Sequence, residues 1–146
     1  PSVLIHGLGP SAIAAGCDPA DALLDLMEFV GSSPIMAFHA AFDRHMLGRA
    51  LKDSLGYRLQ HSFFDVAEMA PMLCPQAHIR KGGLDAWTAF FGLQAGERHH
   101  ASADALVTAE LALILFSYAR RQQIDSPASL DQQLSHWRKR QETHSF

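Results

Sequence analysis

PIMAFHAAFD, residues 34–43, joins a short apolar run to the first turn of a helix. The run over 34–38 follows a turn and is typical of a buried strand. A helix is predicted from about residue 42 to residue 52, with an inner face made of Phe42, Met46, Ala50 and Leu51. Asp43 would then lie in the opening turn of a helix that directly follows a strand. In open α/β folds, that edge of the sheet is where ligands bind.

Helix signals flank this unit on both sides. Asp18 is a good N-cap, Pro19 suits the first helical position and Gly31 is a plausible end. Between them, one apolar stripe is predicted to be buried, formed by Leu23, Leu26, Met27 and Val30. A second strand is expected over 62–66, followed by a short helix that ends near Pro71. Strands and helices therefore alternate, which indicates an α/β protein.

The C-terminal half is predicted to be helical. A short helix over 83–91 would turn Leu84, Trp87 and Phe91 inward. The longest helix runs over about 101–122, and its segment 111–116 is so apolar that burial on most sides is expected. Ser126-Pro127 opens a last helix, whose apolar face is made of Leu130, Leu134 and Trp137. The basic triplet at 138–140 is predicted to be a surface cap of that helix rather than a nucleic-acid contact.

Composition limits the classes of protein that fit. The 146 residues suit one domain, with 48% hydrophobic and 18% charged residues. No run of eighteen apolar residues and no cationic segment ahead of an apolar stretch is present, so neither a membrane span nor a secretory signal is expected. Cys17 and Cys74 are expected to be unpaired thiols in a cytoplasmic protein. The formal charge of −3 argues against a simple basic nucleic-acid binder but not against a metal-dependent nuclease, which needs acidic residues.

A second acidic motif, HHASAD at residues 99–104, opens the longest helix. His99 precedes Asp104 by five residues and could reach the cleft beside Asp43. Between the two motifs, Phe64-Asp65 ends a strand and GLDA, residues 83–86, opens a helix. In this order the four segments resemble the DnaQ-like (DEDDh) 3′–5′ exonucleases, a family that includes polymerase proofreading subunits. The resemblance extends from about Ile5 to Ala119.

The resemblance implies a role for each motif residue. Asp43 and Asp104 would help to hold two divalent metal ions, Mg²⁺ or Mn²⁺, and His99 would be the general base that activates the attacking water. Phe42 and His39 would contact the substrate. The implied reaction is hydrolysis at the 3′ end of DNA or RNA, which releases nucleoside 5′-monophosphates. The implied partners are that nucleic-acid end, a second copy of the chain or a polymerase, with no membrane.

The chain also departs from the family pattern. The first family motif, Asp-x-Glu, occurs nowhere in it, and Phe38-His39 stands where the family often has His-Asn. The expected fold is therefore a ribonuclease H-like exonuclease fold without its first three strands, spanning residues 1–122, with a helical extension over 123–146. About fifty residues of the family pattern would be missing. Such a chain is expected to be inactive alone and to fold only by pairing with further strands or another chain.

Two other functions fit parts of the sequence. One is a non-catalytic nuclease-like module that binds nucleic acid or a protein partner. The other is an unrelated histidine–aspartate metallohydrolase, which lacks support because no histidine ligands occur at the usual spacing. Taken singly, Asp104 reads as a surface carboxylate that favours the helix dipole, and His99 reads as a loop residue. The assignment therefore depends on the motifs taken together.

Overall fold

The computed structural model describes residues 8–79, 82–94 and 100–143. Helices dominate these residues, and a single small sheet lies among them. In chain order the elements are α1 (Pro10–Ala14), α2 (Pro19–Val30), β1 (Ile35–Ala37), α3 (Ala40–Leu55), β2 (Phe63–Asp65), α4 (Val66–Leu73), a 3₁₀ turn (Pro75–Ala77), α5 (Leu84–Phe91), α6 (Ala101–Arg121) and α7 (Pro127–Thr143).

The two strands run parallel, and α3 is the crossover between them. Ile35 faces Phe63, and Ala37 faces Asp65 in the ladder. Both strands lie inside the ranges predicted from sequence, each trimmed by one residue at either end. Within the described ranges the sheet has these two strands. A two-stranded sheet is compatible with many α/β folds, so the ribonuclease H-like fold stays a prediction.

The core lies on one side of the sheet, between α4, α5, α6 and α7. Helix α4 packs against α6 and α7, and α6 also packs against α5 and β1. The predicted inward residues of α5 are confirmed, since Leu84 and Trp87 are buried and Phe91 is half-buried. Leu130 and Leu134 of the last helix are buried in the same core. The largest fully buried side chains of this core are Trp87, Met69, Leu73, Leu111, Leu115 and Leu134.

Three predicted buried faces are wrong in part. In α2 no residue is buried, and Leu26 is 40% exposed. In α3 Leu51 is fully buried, but Phe42 and Met46 are 68% and 48% exposed. The physical reason in α3 is that two strands of three residues each offer a narrow surface, and α2 packs mainly against α3. The apolar periodicity predicted where the helices form, but much of each apolar face is exposed among the described residues.

Helix α6 shows the same effect. Val107, Leu111 and Leu115 are buried in the core, but Leu113 is 68% exposed on the opposite side. Its segment 111–116 is therefore buried on one side only. By length and composition, α6 is also apolar enough to cross a membrane. Core helices of water-soluble proteins pass the same test, so the predicted absence of a membrane span and the predicted cytoplasmic location stay predictions.

Candidate active site at the strand–helix corner

Asp65 ties together the carboxyl ends of the two strands. Its Oδ1 accepts a hydrogen bond from the backbone N–H of His39, after β1, at 2.9 Å. The same oxygen accepts from the backbone N–H of Ala67 at 2.9 Å, which caps the first turn of α4. One carboxylate oxygen therefore fixes the geometry of both strand-to-helix connections. Charge-assisted hydrogen bonds of this kind are roughly twice as strong as neutral ones.

His39 makes the turn from β1 into α3 in an unusual conformation. Its backbone has φ 65° and ψ 49°, the left-handed region that L-residues other than glycine enter at a cost of about 1–2 kcal/mol. The imidazole packs edge-on against Phe38, with ring centroids 4.8 Å apart. The bond from His39 N–H to Asp65 helps to hold this turn. His39 is exposed, so its predicted role in substrate contact remains sterically open.

Asp43 lies one turn into α3, beside the same corner. Partial burial of its carboxyl group is the main reason why the pKa of Asp43 lies above its ordinary value, although the residue as a whole is exposed. Its own backbone N–H lowers that pKa, the negative charge of Asp65 raises it, and the charge of His39 lowers it. Two carboxylates and one imidazole thus influence one another at the end of the sheet. The corner is a place where added positive charge would be stabilised.

Phe42, the other predicted substrate contact, presents its ring to water. It precedes Asp43 and is 68% exposed. An exposed aromatic ring next to a carboxylate can pack on a nucleobase or a sugar. No contact in the structure tests that role, so it stays a prediction.

Asp104 belongs to a different helix from Asp43. Asp104 is half-buried in the first turn of α6, as predicted, and its backbone oxygen accepts from the Thr108 hydroxyl at 2.7 Å. Helix α6, which carries Asp104, packs against β1, the strand that leads to Asp43. His99 lies outside the described residues. Their catalytic and metal-binding roles therefore stay predictions.

The donor set at the corner suits one loosely held cation better than two. Across residues 8–79, 82–94 and 100–143, no three His, Cys, Asp or Glu side chains come together as a metal site. Magnesium is commonly held by one or two carboxylates, with waters and substrate phosphates completing its six positions. The Asp43 carboxylate has the chemistry of such a ligand, and the two-metal assignment stays a prediction. A tight two-metal site needs more carboxylates than this corner supplies.

Sequence reasoning did not select Asp65 as a site residue, although a signal was present. Asp65 ends a strand, and Glu68 follows three residues later, which is the spacing of a helix N-terminal capping box. Glu68 turns instead to Arg138 of α7, whose Nε donates to it at 2.9 Å. The strand order alone would also place Asp65 next to the β1 end, because parallel strands finish at the same edge.

Comparison with known proteins gives one informative similarity. The chain is 32% identical over 100 residues to a protein named DNA polymerase III PolC-type from Clostridium perfringens (strain 13 / Type A). The aligned segment covers 68% of this chain but 7% of that polymerase. No family model matches the chain, and no solved structure matches it.

This similarity relates the chain to a small part of a DNA polymerase. It agrees in part with the resemblance to a family that includes polymerase proofreading subunits. The likeness concerns one segment of a much longer protein.

Proposed function

We propose that this chain supplies part of the active site of a metal-dependent 3′–5′ exonuclease that acts on nucleic-acid ends. The observation that carries the proposal is that Asp43 and Asp65 each follow one of two adjacent parallel strands and that the charge of Asp65 reaches the Asp43 carboxyl group. That edge is the usual ligand site of α/β sheets, and the pKa of Asp43 is raised there. Carboxylates held close together favour a bound cation, which a phosphodiesterase needs. The similarity to a polymerase segment supports the same direction.

Each residue then has a defined task. Asp43 would hold a divalent cation, which neutralises phosphate charge when it is bound. Asp104 would add a further carboxylate from the first turn of α6. His99 would take the proton of the attacking water, a role that suits an imidazole because its unperturbed pKa of about 6.5 lies near neutrality. Phe42 and His39 would position the terminal nucleotide.

The test is a hydrolysis assay with a 5′-labelled single-stranded oligonucleotide and Mg²⁺ or Mn²⁺. Because the Asp-x-Glu motif is absent from the chain, we expect shortening from the 3′ end only after a strand that carries this motif is joined to it, and the variants are compared in that joined protein. His99→Ala should reduce the rate by about 10²–10⁴-fold, the usual contribution of a general base. His136→Ala, an exposed histidine on α7, is the matched control and should keep the parent rate. A His99→Ala protein with the parent rate would refute the catalytic assignment.

A second function has its own support. The sequence has no Asp-x-Glu, and the described residues hold no three-ligand metal cluster. A nuclease-like module that binds nucleic acid without cutting it is consistent with both observations. That module should bind the oligonucleotide, give no shortened products with either metal, and be insensitive to His99→Ala.

A further inference from the structure

A long groove follows one side of α3 away from the acidic corner. It consists of two adjoining cavities of about 840 Å³ and 450 Å³, which share Arg44, Gly48 and Lys52 as walls. These three residues are four apart, so they form one line along the helix. The larger cavity begins at Ala40 and Asp65, and the smaller one ends beyond α3. The groove thus connects the strand–helix corner with the far end of the helix.

The walls of this groove are basic, although the whole chain has a formal charge of −3. Two of its arginines are already paired: Arg49 with Asp53 at 3.6 Å, and Arg138 with Glu68. The remaining cations of the groove are Arg44, Lys52 and Arg58, and none of them forms an ion pair with a described carboxylate. Two cations on one line of α3 and a third beyond its end are thus available to an anionic ligand.

Gly48 lies between two cations of α3, Arg44 and Lys52, at a position where packing does not require a glycine. A glycine inside a helix costs about 1 kcal/mol relative to alanine. A Cβ at this position would meet Leu59 Cδ2 at 3.8 Å, which is ordinary van der Waals contact, so an alanine would fit. Packing among the described residues therefore does not require a glycine here, and the missing side chain leaves the helix backbone open to the groove. A glycine there lets a ligand approach the helix backbone closely.

Two aromatic rings lie in the same groove. Phe63 lines the larger cavity, with the Arg44 guanidinium 6.0 Å from its ring centroid. Tyr57 lines the smaller cavity and is 45% exposed. Cations that follow a backbone, together with aromatic rings on which bases stack, are the features of proteins that bind single-stranded nucleic acid.

We propose that the α3 groove binds single-stranded nucleic acid, with phosphates at Arg44, Lys52 and Arg58 and bases against Phe63 and Tyr57. Arg44 and Lys52 are eight residues apart, or about 12 Å along the helix. That length spans roughly three to four nucleotides of a stacked strand. The direction of the strand, with its 3′ end at the Asp65 corner, rests on the proposed function. The binding itself does not.

The test is fluorescence anisotropy of a 5′-labelled twelve-residue oligothymidylate, with EDTA present so that no hydrolysis occurs. Three phosphate contacts predict a slope of about −2 when the logarithm of the association constant is plotted against the logarithm of salt concentration. Arg44→Ala/Lys52→Ala should leave a slope of about −0.7 and weaken binding at least tenfold at 50 mM salt. Arg120→Ala/Lys139→Ala removes two exposed cations outside the groove and should keep the parent slope.

Gly48 gives a second, independent measurement. Gly48→Ala should raise the melting temperature, because alanine favours the helix, and should weaken oligonucleotide binding about fivefold or more. Gly48→Leu should weaken it further, since its side chain would fill the space between Arg44 and Lys52. Unchanged affinity in Gly48→Ala, an unchanged salt slope in the double variant, or tighter binding of a duplex of equal length would each overturn the proposal.

The two proposals fail in different ways. Oligonucleotide binding that depends on the groove, without shortened products in metal, would keep the groove and remove the exonuclease. Shortening from the 3′ end that persists at the parent rate in Arg44→Ala/Lys52→Ala, with an unchanged salt slope, would keep the exonuclease and remove the groove.

Discussion

Replacing Asp65 by alanine should be among the most damaging single changes near the surface of this protein. The substitution removes two charge-assisted hydrogen bonds of 2.9 Å, to the N–H groups of His39 and Ala67. Such bonds contribute about 1.5–3 kcal/mol each, and the lower value applies here because both are partly exposed to water. We therefore expect Asp65→Ala to lower the free energy of unfolding by about 3 kcal/mol. Asp65→Asn keeps one acceptor oxygen and should cost about half as much.

The assay is urea unfolding followed by circular dichroism, with the slope of free energy against urea checked for constancy. Asp25→Ala, an exposed aspartate on α2 outside the corner, is the control and should stay within about 0.5 kcal/mol of the parent. In Asp65→Asn, the pKa of Asp43 should also fall toward its ordinary value, because one cause of its rise is the Asp65 charge. An Asp65→Ala protein as stable as Asp25→Ala would refute the view that this carboxylate joins the strand ends.

Two substitutions and one thiol measurement test other parts of the structure. His39→Gly should raise the free energy of unfolding in urea by up to about 1 kcal/mol, because glycine adopts a φ of 65° without strain; a loss would mean that the Phe38 contact outweighs the strain. Leu111→Ala should lower it by about 2–5 kcal/mol in the same assay, since Leu111 is fully buried. Burial raises the pKa of Cys74 to about 11, so native protein at pH 8 should react rapidly with a thiol reagent once, at the exposed Cys17. The Cys74 thiol stays protonated in the folded state above its usual value of 9.0, so its contribution to stability should fall as pH rises from about 9 to 11.

Local sequence signals predicted the elements of this fold well. Asp18 caps α2 as expected, its side chain accepting from the backbone N–H of Ala20 at 2.8 Å, and Gly31 follows the last residue of that helix. Helix α4 is the instructive exception, because it continues two residues beyond Pro71 to Leu73. The last turn brings Leu73 into the core, and that burial offsets the missing N–H of the proline. Tertiary packing, which no local pattern contains, decided where this helix ends.

The covered side of each helix was harder to predict. A periodic stripe of apolar residues indicates that something packs against a helix, but not how much of the stripe the partner covers. Leu111 and Leu115 meet α4 and the core, whereas Leu113 in the same apolar run meets water. That difference depends on the number and position of neighbouring strands and helices. Those are set by contacts between distant segments, not by the residues of α6.

The sequence predicts that two aspartates lie near each other at this corner, but it does not predict the backbone conformation between them. Asp43 and Asp65 each follow a strand, and adjacent parallel strands finish at one edge, so their proximity follows from the strand order. The left-handed backbone of His39 was not predicted, because few residues other than glycine adopt it and no local signal marks position 39. A hydrogen bond to Asp65, 26 residues further along the sequence, helps to hold it. The two features belong together: the residue that makes the corner acidic also fixes its shape.

The charge arrangement at the corner predicts that cation and nucleic acid will help each other to bind. A strand lying in the α3 groove would bring its terminal phosphate toward Asp43 and Asp65, whose negative charges oppose it. A divalent cation at Asp43 would remove that opposition, so it should tighten oligonucleotide binding, and by linkage the oligonucleotide must tighten cation binding by the same factor. Titration calorimetry with Ca²⁺ in place of Mg²⁺ would measure both affinities, and a factor of about 5–150 is typical of such coupling. Asp43→Asn should abolish the coupling while keeping cation-free oligonucleotide binding, whereas Asp25→Asn, at an exposed aspartate on α2 outside the groove, should keep both. Equal oligonucleotide affinity with and without Ca²⁺ would mean that an oligonucleotide bound in the groove does not reach the acidic corner.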